Sequence, residues 1–222
     1  MTTGLQKGGL DSGMLHLHKE TIAAALGDVP SWHRGREAYA LWLIEADTDE
    51  VRQQVRAASE HLAEFLIPHY RRQPHITVFV CGFLVVARSY DDDYGVGDFE
   101  QHADLLRKAA LKPFPLVIGS LNSFASAPFL EVTDPEGGLG RVRSVLASAR
   151  TEIERSEYIP HVTVGLYADA FPSDLVAKRI ASFSQDPCTL HVDRITFATF
   201  RAAEMYGTLS RRQEIALSAE LL

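Results

Sequence analysis

The pentapeptide Pro74-His75-Ile76-Thr77-Val78 recurs as Pro160-His161-Val162-Thr163-Val164. Of nine histidines, only these two carry Thr two places on, and both follow Pro. Alternate side chains of an extended strand share a face. In each copy, therefore, His and Thr project together, while Ile76 and Val78, or Val162 and Val164, turn toward a core. Pro suits the first position of such a strand, where no ladder donor is needed. The chain must build two strands that each present an imidazole and a hydroxyl.

The surroundings of the motif repeat as well. Tyr39 to Ala46 reads as a buried strand. Asp47 or Thr48 caps a helix that runs at apolar 3.6 spacing to Ile67, where Pro68 stops it. The first motif strand runs from His75 to about Val86. An acidic loop, Ser89 to Gly97, follows and reads as solvated. Asp98 caps the next helix, and Phe114 to Phe124 is a strand. The second half gives a strand at Ala127 to Thr133, a helix through Leu139 to Ala149 and the motif strand Pro160 to Tyr167. A helix from Ser173 to Phe183, a strand from Cys188 to Phe200 and a last strand at about Met205 to Leu217 complete it. Tyr39 precedes His75 by 36 residues and Ala127 precedes His161 by 34. Two copies of one supersecondary unit are expected, about 39–124 and 127–200, with a final strand at 205–217. No disordered linker divides them, so they should pack as one bilobal body.

Composition narrows the function. With 222 residues, 46% hydrophobic, the chain has material for a sizeable core. A net charge of −7 argues against broad sequence-independent nucleic-acid binding, which needs a basic face. The two cysteines, Cys81 and Cys188, form no metal or redox motif, and Cys81 reads as a buried reduced thiol. The first thirty residues lack the pattern of a signal peptide, and no apolar run reaches the ~20 residues a bilayer requires. A cytoplasmic protein without membrane contact is expected. Residues 1–36 read as an N-terminal extension with a short helix at Lys19 to Leu26. His16 and His18 alternate around Leu17 but have no third ligand type nearby.

Two such strands facing one cleft would converge two imidazoles and two hydroxyls. Histidine titrates near neutrality, so a pair holds one base and one acid together. In-line cleavage of a phosphodiester needs that combination, with one group taking a proton from the attacking oxygen and the other protonating the leaving oxygen. The threonines would donate to the non-bridging oxygens. A metal held by the same histidines would want a carboxylate or a third imidazole at fixed spacing, and none is evident.

The paired His-Ile-Thr-Val and His-Val-Thr-Val motifs resemble the 2H phosphoesterase superfamily, in particular its RNA 2′,5′-ligase-like or cyclic phosphodiesterase branch. The resemblance covers about residues 37–217. It implies an α+β fold of two pseudo-symmetric lobes, with antiparallel-rich sheets lining a central groove and helices outside. It also implies hydrolysis of 2′,3′-cyclic phosphates, or related cyclic and 2′,5′ diesters, without metal or cofactor. His75 and His161 take the acid and base roles, and Thr77 and Thr163 bind the phosphate. Some RNA-acting branches place a basic residue soon after the second motif, where this chain has Gly165-Leu166-Tyr167. That departure favours a small nucleotide or an RNA end over a polynucleotide held in a stable complex. A phosphate- or nucleotide-binding module without turnover, and an RNA 2′,5′-end ligase, are the alternatives.

Strand parity nominates further residues. Phe79 and Phe83 share the His75 face if Gly82 introduces no bulge, and Tyr167 follows His161, so each is a candidate to stack on a base. Arg72 lies close enough in sequence to reach a phosphate beside His75. Arg201, with Tyr206, Arg211 and Arg212 near the last strand, is a second candidate clamp.

Overall fold

In the computed structural model, which describes residues 13–25, 27–154 and 156–218, the central strand is β1 (Ala38–Glu45). Its residues 40–44 are buried without alternation, as befits a strand covered on both faces. Thr48 then caps α2 (Asp49–His61), its hydroxyl accepting from the Val51 N–H at 3.3 Å. This helix stops six residues before Ile67. The Ile67 N–H bonds to the Leu166 carbonyl instead, and Leu66 bridges Tyr167. After β2 (His75–Val85) come β3 (Asp93–Gly95), α3 (Val96–Lys108), β4 (Phe114–Ser123), β5 (Pro128–Thr133), α4 (Gly138–Ala147) and β6 (His161–Thr163). Helix α5 (Ser173–Ala181), β7 (Cys188–Val192), β8 (Arg194–Arg201) and β9 (Ser210–Ala216) complete the order.

The strands make two sheets, β3-β2-β1-β8-β9 and β6-β5-β4-β7, with every pair antiparallel except β2–β3. The fold is α+β, with two antiparallel-rich sheets. The sheets do not divide the chain at residues 124–127. Strand β4, last in the first sequence repeat, pairs with β5 across the tight turn in which the Phe124 N–H bonds to the Ala127 carbonyl. Strand β8, last in the second repeat, pairs with β1. Each unit thus gives its final strand to the other's sheet. The single strand expected at Cys188–Phe200 is broken at Asp193 for the same reason, because β7 joins β4 while β8 crosses to β1. One apolar core runs through both sheets, from Trp42, Ile76 and Val78 to Leu116, Leu130 and Val162.

The N-terminal segment is fixed to this body rather than extended. Residues 1–12 lie outside the described residues. Over residues 19–25, the described part of the helix expected at Lys19–Leu26, no helix forms. The backbone donors there go elsewhere, Thr21 to Phe171, Ile22 to Ala125 and Ala24 to Tyr167. A short helix, α1 (Pro30–His33), then lays Trp32 against Tyr39 and Phe83. Arg36 inserts into the acidic loop, its guanidinium 2.7 Å from Asp93 and stacked 3.6 Å over the Phe83 ring. That loop is solvated only in part: residues 89–91 and 96–97 are exposed, whereas residues 93–95 are buried, and Asp93, 1% exposed, also accepts from the Ser89 and Tyr90 N–H groups. These bonds hold its carboxyl below the usual range despite burial, which pushes the other way. Asp98 does not precede α3 but sits in its first turn, reaching back to the Gly95 N–H at 2.7 Å. Among the described residues no helix is long and apolar enough to cross a membrane.

Removing Arg36 would strand a buried carboxylate, and such a change costs about 3–5 kcal/mol. Arg36→Ala should therefore lower the urea midpoint strongly at unchanged slope. Arg107→Ala, which breaks only the surface pair with Asp104, should leave the midpoint nearly where it was.

Candidate active site

Each motif histidine opens its strand and is held in the same way. His75 Nδ1 lies 2.8 Å from the Gln73 carbonyl, and His161 Nδ1 lies 2.7 Å from the Ile159 carbonyl. A carbonyl only accepts, so both Nδ1 atoms carry the hydrogen and each neutral ring keeps its lone pair on Nε2. Strands β2 and β6 lie against each other, and the two rings are within electrostatic reach. Burial pushes His75 down to about 4, the Gln73 carbonyl opposes this, and Arg72 and His161 add to the fall. Burial also lowers His161, against the Ile159 carbonyl. The rings of Phe124 and Phe129 flank His161 at 5.0 and 5.3 Å. Thr77 and Thr163 are half-buried, and among the described residues neither hydroxyl has a protein partner.

The aromatic residues nominated by parity do not join this group. The β1–β2 register passes over Val78 and Cys81, so β2 carries two bulges. Opposite Glu45, Leu43, Leu41 and Tyr39 stand His75, Thr77, Val80 and Phe83. Phe79 faces Trp42 instead and packs edge-on against the buried His102 ring at 5.3 Å. Gly82 permits the second bulge. Its φ is +107°, and a Cβ there would stand 2.3 Å from the Asp92 carbonyl oxygen. Phe83 does share the motif face but is fully buried under Trp32 and Arg36. Tyr167 is fully buried too, its hydroxyl bonded to Ser123. Gly165 opens no room beside the second motif, because Leu66 lies 2.9 Å from where a Cβ would stand.

The two arginines separate clearly. Arg72 donates to the carbonyls of Gly207 at 2.9 Å and Met205 at 2.6 Å and lies over the Phe200 ring. It has no carboxylate partner among the described residues, and burial lowers its affinity for its proton. Arg201 is 77% exposed and paired with Glu204. It sits opposite Ala38, seven residues along β1 from Glu45, or about 23 Å at the rise of a strand. Arg201 is therefore remote from His75.

Several neighbours of the histidines escaped the sequence reading. Glu45 stands opposite His75, and Glu131 stands opposite His161, each 30 residues before the histidine it faces. Aligning the two units on their histidines would have shown this. Glu45 pairs with Arg211, and Glu131 accepts from Asn122 at 2.6 Å. Gln73, besides its carbonyl, clasps both backbone groups of Leu209 with its side-chain amide. Tyr158 donates its hydroxyl to the Thr77 carbonyl at 2.9 Å. No group of three His, Cys, Asp or Glu gathers to hold a metal among the described residues.

Comparison with known proteins bears on the fold and the family. The apo structure of E. coli LigT has a TM-score of 0.57 at 15% identity, covering 83% of this chain and 99% of that one. E. coli LigT complexed with 3′-AMP gives 0.54 at 14% identity over 82% and 98%. TT0787 of Thermus thermophilus gives 0.53 at 12% over 82% and 100%. At such identities the likeness is one of fold. No curated protein sequence matches. The family described as the 2′-5′ RNA ligase superfamily matches residues 44–204, which include both motifs. With well over half its length so matched, the chain belongs to that superfamily, the 2H phosphoesterases, whose members act on phosphodiester bonds.

Proposed function

We propose that the protein hydrolyses 2′,3′-cyclic phosphodiesters of a nucleotide or RNA end, or related 2′,5′ linkages, by a metal-independent two-histidine mechanism. The observation that carries this reading is the pair of imidazoles anchored through Nδ1, each with a threonine two residues on whose hydroxyl is unengaged among the described residues. A neutral ring takes a proton through Nε2 from the attacking water. The new P–O bond forms in line with the ribose oxygen that leaves, and the other ring, protonated, supplies that oxygen's proton. Thr77 and Thr163 donate to the non-bridging oxygens, whose charge must be stabilised as the bonds exchange. Arg72, a cation beside His75 without an acidic partner, adds its charge. The product is a terminal 2′- or 3′-phosphate monoester.

A nucleotide-sized substrate fits the covering of the motif face. Leu41, Leu43 and Phe200 lie on that face but are at most 7% exposed, roofed by Trp32 and Leu209. The net charge of −7 disfavours a long polyanion. E. coli LigT, of the same fold, has been crystallised with 3′-AMP, ATP and NADP+. A cytoplasmic setting belongs to the same reading, consistent with free thiols at Cys81 and Cys188.

Turnover of 2′,3′-cyclic nucleotides should persist in excess chelator. His75→Ala and His161→Ala should each reduce kcat about 10²–10⁴-fold, and Thr77→Ala or Thr163→Ala about 10²-fold. Full activity in either histidine variant contradicts the mechanism. Nucleotide binding without any product favours the binding module, and joining of RNA ends favours the ligase.

The pH profile of kcat/KM should be bell-shaped, because one ring must be charged and the other neutral. Both rings hold their protons more weakly than ordinary histidine, so the singly protonated pair is populated below pH 6.5. The maximum should fall on the acidic side of that value. Arg72 depresses His75, so Arg72→Gln should move the acidic limb to higher pH while raising KM.

A further inference from the structure

From Thr77 to Val80, β2 has β1 on one side only, because β3 pairs with Phe83–Val85 and no further. The backbone groups on the open edge need partners. Three side chains from the second unit supply them. The Tyr158 hydroxyl donates to the Thr77 carbonyl at 2.9 Å, Arg143 donates to the Val78 carbonyl, and the Glu152 carboxylate accepts from the Val80 N–H at 2.7 Å. The three are also joined to one another. Arg143 is ion-paired with Glu152 at 2.7 Å and lies 3.7 Å over the Tyr158 ring. This bracket grips β2 across its first bulge, which directly follows Thr77.

The placement of the bracket is as informative as its bonds. Tyr158 is three residues before His161, and the next residue, Ile159, supplies the carbonyl that orients the His161 ring. One short segment therefore holds the second histidine and, through one hydroxyl, the backbone of the first motif. Arg72 stands at the same place before His75, yet its side chain reaches away, to the loop at Met205 and Gly207. The link between the two motifs is made from one side only.

We propose that Tyr158 is a positioning residue that fixes the separation of the two motif strands, and with it the alignment of His75 and Thr77 against His161. This rests on the proposed two-histidine reaction for its kinetic consequence but not for its geometric one. In-line transfer tolerates little displacement, and an error of about 1 Å is enough to cost about 100-fold in rate. Tyr158 touches neither substrate nor reacting atoms in this role, so its effect should fall on kcat rather than on KM.

Tyr158→Phe keeps the ring under Arg143 and removes only the hydroxyl. With a 2′,3′-cyclic nucleotide, kcat should fall about 10- to 100-fold while KM stays within about threefold. Arg143→Lys, which removes the stacked guanidinium but keeps the charge, should act in the same direction more weakly. The readout that a merely structural role would leave alone is the NMR titration of His75 and His161 in the absence of substrate. The rings oppose each other's protonation, so a change in their separation must move the two apparent midpoints relative to each other. Arg72, whose charge acts on His75, together with Glu45 opposite His75 on the first sheet and Glu131 opposite His161 on the second, is left in place by the variants. Midpoints unchanged in Tyr158→Phe overturn the proposal whatever happens to kcat. Displaced midpoints in a protein with no phosphodiesterase activity would uphold the bracket and remove the proposed reaction.

Discussion

A carbonyl two residues ahead of each motif histidine decides what the ring offers to the groove. Gln73 and Ile159 both turn their oxygens to Nδ1, and an oxygen that only accepts leaves the hydrogen no other place in the neutral ring. The intervening Pro74 and Pro160 fix φ as the chain enters the strand. Nε2 is thereby the free nitrogen in both halves, with the same tautomer and the same approach. Burial then withholds protons from both rings, which leaves them neutral at neutral pH and moves the singly protonated pair to the acidic side.

On this symmetric frame the surroundings are asymmetric. His75 has a guanidinium at hand and a glutamate neutralised by Arg211. His161 has two aromatic rings and a glutamate bonded only by an amide. The difference gives two identical side chains different proton affinities, the condition for one to act as base while the other acts as acid. The same residue positions are reused for different ends. Three places before the histidine stands Arg72 in one half and Tyr158 in the other, one clamped to a loop and the other bridging the units.

Local pattern made much of this legible. The duplicated Pro-His-x-Thr-Val strand singled out both histidines and both threonines as candidates, because a two-residue period and a repeated order of elements are encoded in consecutive residues, while the α+β class followed from the family resemblance that the motif carries. Arg72 was legible only as a charge near the motif. Phe79 was misplaced by parity because the first bulge, at Val78, adds a residue without leaving a mark in the sequence; the second, at Cys81, returns Phe83 to the motif face. Phe83 kept its face, but its burial depends on Trp32 and Arg36 from a segment whose own sequence is weakly patterned. The acidic loop looked solvated throughout because two of its charges, Asp92 and Asp93, find their partner more than fifty residues away, in Arg36. Arg201 seemed near the site only in the sense that its strand was; its distance follows from strand direction, which composition does not carry.

The exchange of final strands between the units has a consequence for how such a chain holds together. Strand β1 finds its inner neighbour in β8, and β5 finds its own in β4, so neither half completes a sheet from its own residues. A polypeptide with a single copy could close its core only by borrowing that strand from a second molecule. Joining the copies through the four residues between Ser123 and Pro128 turns this loan into a tethered one, at the high effective concentration of a short linker. Nicking the backbone in that turn would therefore yield two interlocked fragments, each still carrying a strand of the other's sheet.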